Sequence, residues 1–239
     1  YFSWHAPFYF LFGFMLIAFL LVIFFMPETN SRLRPWQTKQ VLGNLWEVMK
    51  CPKIFAFAMI CSMCYNTILL FNVLGPFAIQ VDLAHSPRFF GLMALLMGVS
   101  WFIGTLINRF FHHVNGGPIV NGFSVIYLIT SIVGLALSLI IPDNLILIVS
   151  VSFITILSAG VIFPDVYGQA LDMFRHQTGV VSAVLGGYFL LISSVGSMLF
   201  AMAHSPKLST MLEMMGFLVI MAIIIGVFYL KLQRKDRAQ

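Results

Sequence analysis

Apolar residues in this chain come in long unbroken blocks, and polar residues come in islands between them. Seven blocks are long enough to cross a membrane: Ala6–Met26, Ile54–Gln80, Phe89–Asn108, Ile119–Ile141, Leu145–Pro164, Gly179–Ala203 and Leu212–Leu230. A crossing helix needs about 20 mainly apolar residues. The blocks lack the strict alternation of a barrel strand, so they predict helices, whose backbone groups are satisfied within each segment. The expected fold class is therefore all-α, a polytopic membrane protein with seven transmembrane helices. The longest polar island divides the chain into a single helix (residues 1–26), a central basic loop (27–53), a six-helix block (54–230) and a basic tail (231–239).

The islands set the direction of the helices. Arg32, Arg34, Lys39, Lys50 and Lys53 in the first loop fall on one side of the membrane, with Arg109, Arg175 and the tail residues Lys231, Arg234, Lys235 and Arg237; Arg88 and Lys207 fall on the other. The positive-inside tendency puts the crowded side in the cytoplasm, with Tyr1 outside and the carboxyl end inside. An outside start without a signal sequence is awkward for insertion, and an odd number of further helices upstream removes the difficulty. The first block has no basic n-region and no small-residue cleavage motif, so it does not read as a signal peptide. Within the first loop, Val41, Leu42, Leu45, Val48 and Met49 recur at helical spacing. They predict either a short helix on the inner surface or a solvated connector.

Composition adds exclusions. Apolar residues make up 60% and charged residues 9%, against about 25% charged in soluble domains. The net charge of +5 does not indicate nucleic-acid binding, because the basic residues sit between apolar blocks and form no continuous patch. Cys61 and Cys64 form a C-x-x-C inside an apolar block, without a nearby His or a second pair, and read as membrane packing. His112 and His113 are adjacent and lack further ligands, so no metal site is expected. No phosphate-binding loop, nucleophile elbow or zinc-protease motif is present. No enzyme activity, catalytic residue or cofactor is expected.

Functional residues are therefore sought among uncharged groups and backbone breakers. No charged or His residue lies at mid-depth in the six-helix block; Asp82, Asp165 and Glu213 fall at helix ends, and Asp165, Asp172 and Arg175 are placed in an inner loop. Such charges inside the bilayer usually have a task, so no proton carrier is read from this block. Tyr65 and Asn72 are seven apart on nearly one face of the second helix, with Asn66 beside Tyr65. Tyr65, Asn66 and Asn72 either line a cavity, with Phe71 as an aromatic wall, or tie helices together by hydrogen bonds. Gly75-Pro76 and Pro164 lie late in the second and fifth helices, as bend points of two inverted triplets or as ordinary membrane prolines. Gly91, Ala94, Gly98, Trp101, Thr105 and Asn108 share one face of the third helix, and the sixth helix is rich in small residues, Gly186 among them. Small faces permit close approach and either rocking or static packing.

Several short motifs, in order, resemble the major facilitator superfamily. Pro27-Glu28-Thr29 resembles the end of helix six in bacterial drug:proton antiporters. Leu74-Gly75-Pro76-Phe77 and Ser86-Pro87-Arg88-Phe89-Phe90-Gly91 resemble helix seven and the start of helix eight. Gly104 through Asn108-Arg109-Phe110 is similar to a reduced copy of the family's loop motif, without its acidic residue and second glycine. Gly179 through Gly186 is similar to the start of helix eleven, and the set is closest to the bicyclomycin/chloramphenicol-resistance group. The resemblance implies helices six to twelve of a carrier built from two six-helix halves, the last six forming one half as a 3+3 inverted repeat. It implies alternating access, with Tyr65, Asn66, Phe71 and Asn72 near the cavity and Gly91, Gly98, Gly104, Asn108, Arg109 and Gly186 at interfaces or gates. The expected partners are the lipid bilayer, an amino-terminal half outside this sequence, a small-molecule substrate and protons. The expected activity is proton-coupled efflux of amphipathic compounds across a bacterial inner membrane, the coupling acid lying in the amino half. Metabolite uptake or exchange and an inactive remnant are the alternatives. A seven-helix receptor or retinal protein lacks its signatures: the last helix has no Pro, and its only Lys near the boundary is Lys231.

Overall fold

A computed structural model describes residues 5–25, 38–141, 144–203 and 210–237. The Pro27-Glu28-Thr29 motif, Arg32, Arg34 and Lys207 lie outside the described residues, as do the side chains of Lys39, His112, His113 and the basic tail. The chain is all-α among these residues and contains seven helices long and apolar enough to cross a membrane. It divides into two units, residues 1–38 and 39–239. The first contains α1 (Ala6–Phe25), a helix apolar on every side. The second holds α2 (Thr38–Met49, from its second residue), α3 (Pro52–Pro76), α4 (Pro87–Ile140), α5 (Leu145–Asp172), α6 (Thr178–Ala203) and α7 (Thr210–Arg237).

Local sequence explains where these helices start. Ser86 and Asn144 cap α4 and α5: the Phe89 N–H donates to Ser86 Oγ at 3.3 Å and the Leu147 N–H to Asn144 Oδ1 at 3.1 Å. Such a cap contributes about 1 kcal/mol. Pro52 and Pro87 occupy first-turn positions of α3 and α4, where a missing N–H costs nothing. Pro76 acts differently. It removes an i→i−4 bond at the end of α3, and the chain continues as a wider π-helical segment, Phe77–Asp82. Beyond it Ala84 takes a left-handed conformation, φ 53°, at a cost of about 1–2 kcal/mol for a residue with a Cβ. Ala84→Gly relieves that cost less the greater entropy of unfolded glycine. A gain of about 0.5–1 kcal/mol is expected, read as a higher melting temperature in detergent.

Three boundaries depart from the sequence reading. The third and fourth blocks are joined by unbroken helical hydrogen bonding in α4, not by a non-helical loop. The path nevertheless doubles back. Ser100 Oγ donates to the Phe153 carbonyl at 2.6 Å, and a Cβ on Gly134 would lie 2.9 Å from Val151 Cγ1. Ser100 and Gly134 thus meet the same turn of α5, whereas a straight helix would hold them about 51 Å apart. The spans so joined are Pro87–Phe111 and Ile119–Ile140. Second, α5 runs past Pro164 to Asp172, so Asp165 is not in a loop. It is buried within the helix, and Gln169 Nε2 donates to its Oδ2 at 2.6 Å. The solvated ion pair expected nearby is Asp172 with Arg175, 3.3 Å apart and exposed. Third, α7 carries helix to Arg237 rather than ending at Leu230.

The core lies around α3 and α5. Asn108 Nδ2 donates to the Val161 carbonyl at 3.0 Å, with the same sequence offset of 53 as Ser100 and Phe153. The third and fifth spans therefore run parallel. Phe71 stacks on Phe90 at 5.9 Å, close to the turn between α3 and α4, which makes that pair an antiparallel hairpin. The second and fifth spans consequently run in opposite directions, as an inverted pair of triplets requires. Buried Thr67 and Tyr127 share a hydrogen bond of 2.7 Å that ties α3 to the fourth span. The helix expected in the basic loop is α2. Its Val48 is fully buried, and the Tyr188 hydroxyl on α6 donates to the Met49 carbonyl at 3.2 Å.

Candidate functional site

A cleft of about 430 Å³ lies between α3 and α6. Tyr65 and Leu69, one helical turn apart, supply the α3 wall; Leu190, Ser193, Ser194 and Ser197 supply most of the α6 wall. None of the lining residues carries a formal charge. The Ser194 hydroxyl is spent on the Leu190 carbonyl at 2.8 Å. Ser193 is buried and its hydroxyl has no partner among the described residues.

Asn66, beside Tyr65 on α3, packs against α6 at Gly196 and is not part of the cleft lining. It is 1% exposed, and neither its Oδ1 nor its Nδ2 has a hydrogen-bond partner among the described residues. Its amide is accommodated because residue 196 is glycine: a Cβ there would lie 2.7 Å from both amide heteroatoms. An unsatisfied buried polar group costs about 1–3 kcal/mol. Two of them beside one cleft mark a place where stability is given up, a common property of functional sites.

Tyr65 also begins an aromatic seam across the bundle. Its ring meets Phe189 edge-on at 5.2 Å; Phe189 meets Phe163 at 5.9 Å; Phe163 meets Trp101 at 5.6 Å and Tyr167 at 5.8 Å. Rings at these separations favour edge and offset geometries and stiffen the surface they form. The seam links α3, α6, α5 and α4 through partly buried rings.

The residues singled out in the sequence are distributed as follows. Tyr65 lines the cleft, whereas Asn66 does not and is buried against Gly196 of α6. Phe71 is 1% exposed, in the core rather than on a cavity wall, because Phe90 covers it. Asn72 is exposed and donates to its own helix at the Ile68 carbonyl, 3.0 Å away. Gly75 makes room for the stacked rings, since a Cβ there would lie 3.1 Å from Phe90. Pro76 marks the change to π-helix, and Pro164 lies inside an unbroken α5. On α4, Gly104 abuts the Leu157 carbonyl and Gly160, and Asn108 binds Val161, so both are engaged with α5. Gly91, Gly98 and Gly186 have nothing within 4 Å of a built Cβ, and Arg109 is exposed. In the sequence, Ser193, Ser194 and Ser197 count only as small residues of α6. Their spacing places them within little more than one turn, the available signal that they share a wall.

A sequence model of the Major Facilitator Superfamily matches residues 1–197. No curated protein matches the chain. The family match covers most of the sequence, and the chain belongs to the Major Facilitator Superfamily. It is a multi-pass membrane protein and a secondary transporter in type, which points away from an enzyme.

Proposed function

We propose that this major facilitator chain serves proton-coupled efflux of amphipathic small molecules by alternating access, with the α3–α6 cleft contributing to the substrate path. The single observation that carries the reading is that cleft: an uncharged recess with an aromatic wall at Tyr65, set in a six-span bundle of a transporter family. An amphipathic solute fits such a lining, ring and aliphatic groups covering its apolar body and hydroxyls meeting its polar end. In this reading the six spans from α3 to α7 work against an amino-terminal half, and the coupling acid belongs to that half. The membrane is the bacterial inner membrane, and the carboxyl end is cytoplasmic, on the side richer in Lys and Arg.

The test is an efflux assay on cells lacking other pumps, with and without a protonophore. Expression of the complete carrier is expected to lower the steady-state accumulation of an amphipathic dye, and collapse of the proton gradient to restore it. Tyr65→Ala is expected to change the order of preferred dyes by about tenfold in transport rate, at unchanged membrane abundance. Accumulation that rises on expression makes the carrier an importer. A protonophore without effect removes proton coupling.

A further inference from the structure

We infer that a recess between α2 and α6 is a binding site for an anionic phospholipid, with an acyl chain in the recess and the phosphate beside Lys50. The recess shares no lining residue with the α3–α6 cleft, so it serves whatever solute is carried. Its volume is about 220 Å³. Leu45 and Met49 form the α2 side; Ala183, Gly187, Tyr188 and Leu191 form most of the α6 side. None of the lining residues carries a formal charge. The Tyr188 hydroxyl is already given to the Met49 carbonyl at 3.2 Å. An occupant therefore meets aliphatic groups and one ring, which Phe55 holds by an edge-on contact at 5.8 Å. Gly187 keeps the recess open, since a Cβ built there meets nothing within 4 Å. Met49 and Leu191 are exposed, so the recess opens outward from the bundle and not into its core.

Position around α2 sorts its residues. Val48 is fully buried against the bundle, and Leu45 and Met49 line the recess. Leu42 and Trp46 are 60% and 59% exposed although apolar. Lys50 Nζ lies 4.7 Å from the centre of the Trp46 ring. Trp46 and Lys50 each directly follow a lining residue, so the ammonium stands at the border of the recess and not in its wall. Glu47 is two residues from both Leu45 and Met49, about 200° around the helix, and so lies on the opposite side. Lys53 adds a second positive charge three residues on. An amphipathic helix that exposes Leu and Trp in a membrane protein covers them at the bilayer interface, the level that Trp and Tyr rings favour. An ammonium at that level attracts anionic lipid and donates charge-assisted hydrogen bonds to phosphate. A cationic amphiphile would be repelled there, and a zwitterionic lipid brings an ammonium of its own beside Lys50. A wholly apolar chain gains nothing from the charge. Lining and border together thus call for an aliphatic chain on an anionic head.

Trp46 reports on this site directly. In a full chain whose Trp4, Trp36 and Trp101 are replaced by Phe, its fluorescence is quenched by lipids brominated on their acyl chains. Reconstitution into phosphatidylcholine vesicles carrying either brominated phosphatidylglycerol or brominated phosphatidylcholine measures which lipid occupies the recess. Phosphatidylglycerol is expected to be preferred about fivefold, the size of effect of one Lys at an anionic surface. Lys50→Gln is expected to bring the preference below twofold. Gly187→Leu fills the recess and is expected to do the same, with the fold retained because the position is open. Equal quenching by the two lipids overturns the site. So does the absence of quenching by either, which would mean that protein or water covers Trp46. A preference lost in Lys50→Gln and kept in Gly187→Leu would be diffuse attraction to the basic loop, and it overturns the site as well; so does a preference that survives Lys50→Gln. If the single-Trp chain does not fold, the difference in quenching between the parent and Trp46→Phe, with the same lipids and variants, decides on the same terms.

Discussion

Gly160→Val is expected to destabilise the six-span bundle by about 3 kcal/mol, the upper end for overpacking. A Cβ at position 160 would lie 2.6 Å from the Trp101 carbonyl oxygen and 3.3 Å from its Cα. From the other side, a Cβ on Gly104 would run into the Leu157 carbonyl and the Gly160 backbone. The obstacles are backbone atoms of two helices held in register by Ser100 and Asn108, so no side chain can turn away to make space. The helices must separate. Separation lengthens both of those hydrogen bonds and opens the Trp101–Phe163 contact. Thermal unfolding in detergent, followed by near-ultraviolet dichroism or by trypsin resistance, measures the loss. Gly91→Val and Gly98→Val are the controls, because open space surrounds both positions. They are expected to melt close to the parent. A Gly160→Val protein as stable as these controls would mean that α4 and α5 do not meet at this point.

This pair also shows what the sequence could and could not reveal. The number and approximate positions of the spans were legible, because about 20 apolar residues between polar islands form little else than a crossing helix. The contact face of α4 was legible in part. Of the stripe through Gly91, Ala94, Gly98, Trp101, Thr105 and Asn108, Trp101 and Asn108 do meet α5, but Gly91 and Gly98 have open space around them, and Ser100 and Gly104, outside the stripe, make close contacts with α5. In a soluble helix, polarity tells the buried face from the wet one. In a membrane helix, lipid is as apolar as a neighbouring helix, and the hydrophobic pattern carries little phase information. The same limit applies to α3. Tyr65 and Asn66 stand out as polar groups in an apolar span; Tyr65 lines the α3–α6 cleft, and Asn66 is buried against Gly196 of α6. Phe71 and Asn72 are near them in sequence, and only their neighbours, Phe90 and the Ile68 carbonyl, decide their roles. The helical connection within α4 and the continuation of α5 past Pro164 were illegible for another reason. Proline argues locally for an end, but packing of the following residues, Val166 and Ala170 among them, holds the helix.

Gly196→Ala is expected to lower substrate flux by about tenfold, equivalent to about 1.4 kcal/mol, with a coupled loss of stability. The added methyl would sit 2.7 Å from both amide heteroatoms of Asn66 and 2.9 Å from its Cγ. The amide is the far end of a side chain, so it can move in principle. It is 1% exposed, however, and lies where α3 and α6 come close: the Ser62 hydroxyl, which donates to the Ala58 carbonyl at 2.6 Å, is also 3.2 Å from the Phe189 carbonyl of α6. The methyl must therefore either swing the amide into the cleft or push α6 away, and both change the wall formed by Ser193 and Ser197. A double-mutant cycle separates this local collision from a general dislike of alanine on α6. Asn66→Ala vacates the space that the new methyl needs. The double variant Asn66→Ala/Gly196→Ala is therefore expected to be no less stable than Asn66→Ala alone, a favourable coupling of about 1–3 kcal/mol. Additive stability losses in the cycle would show that Asn66 and Gly196 do not touch.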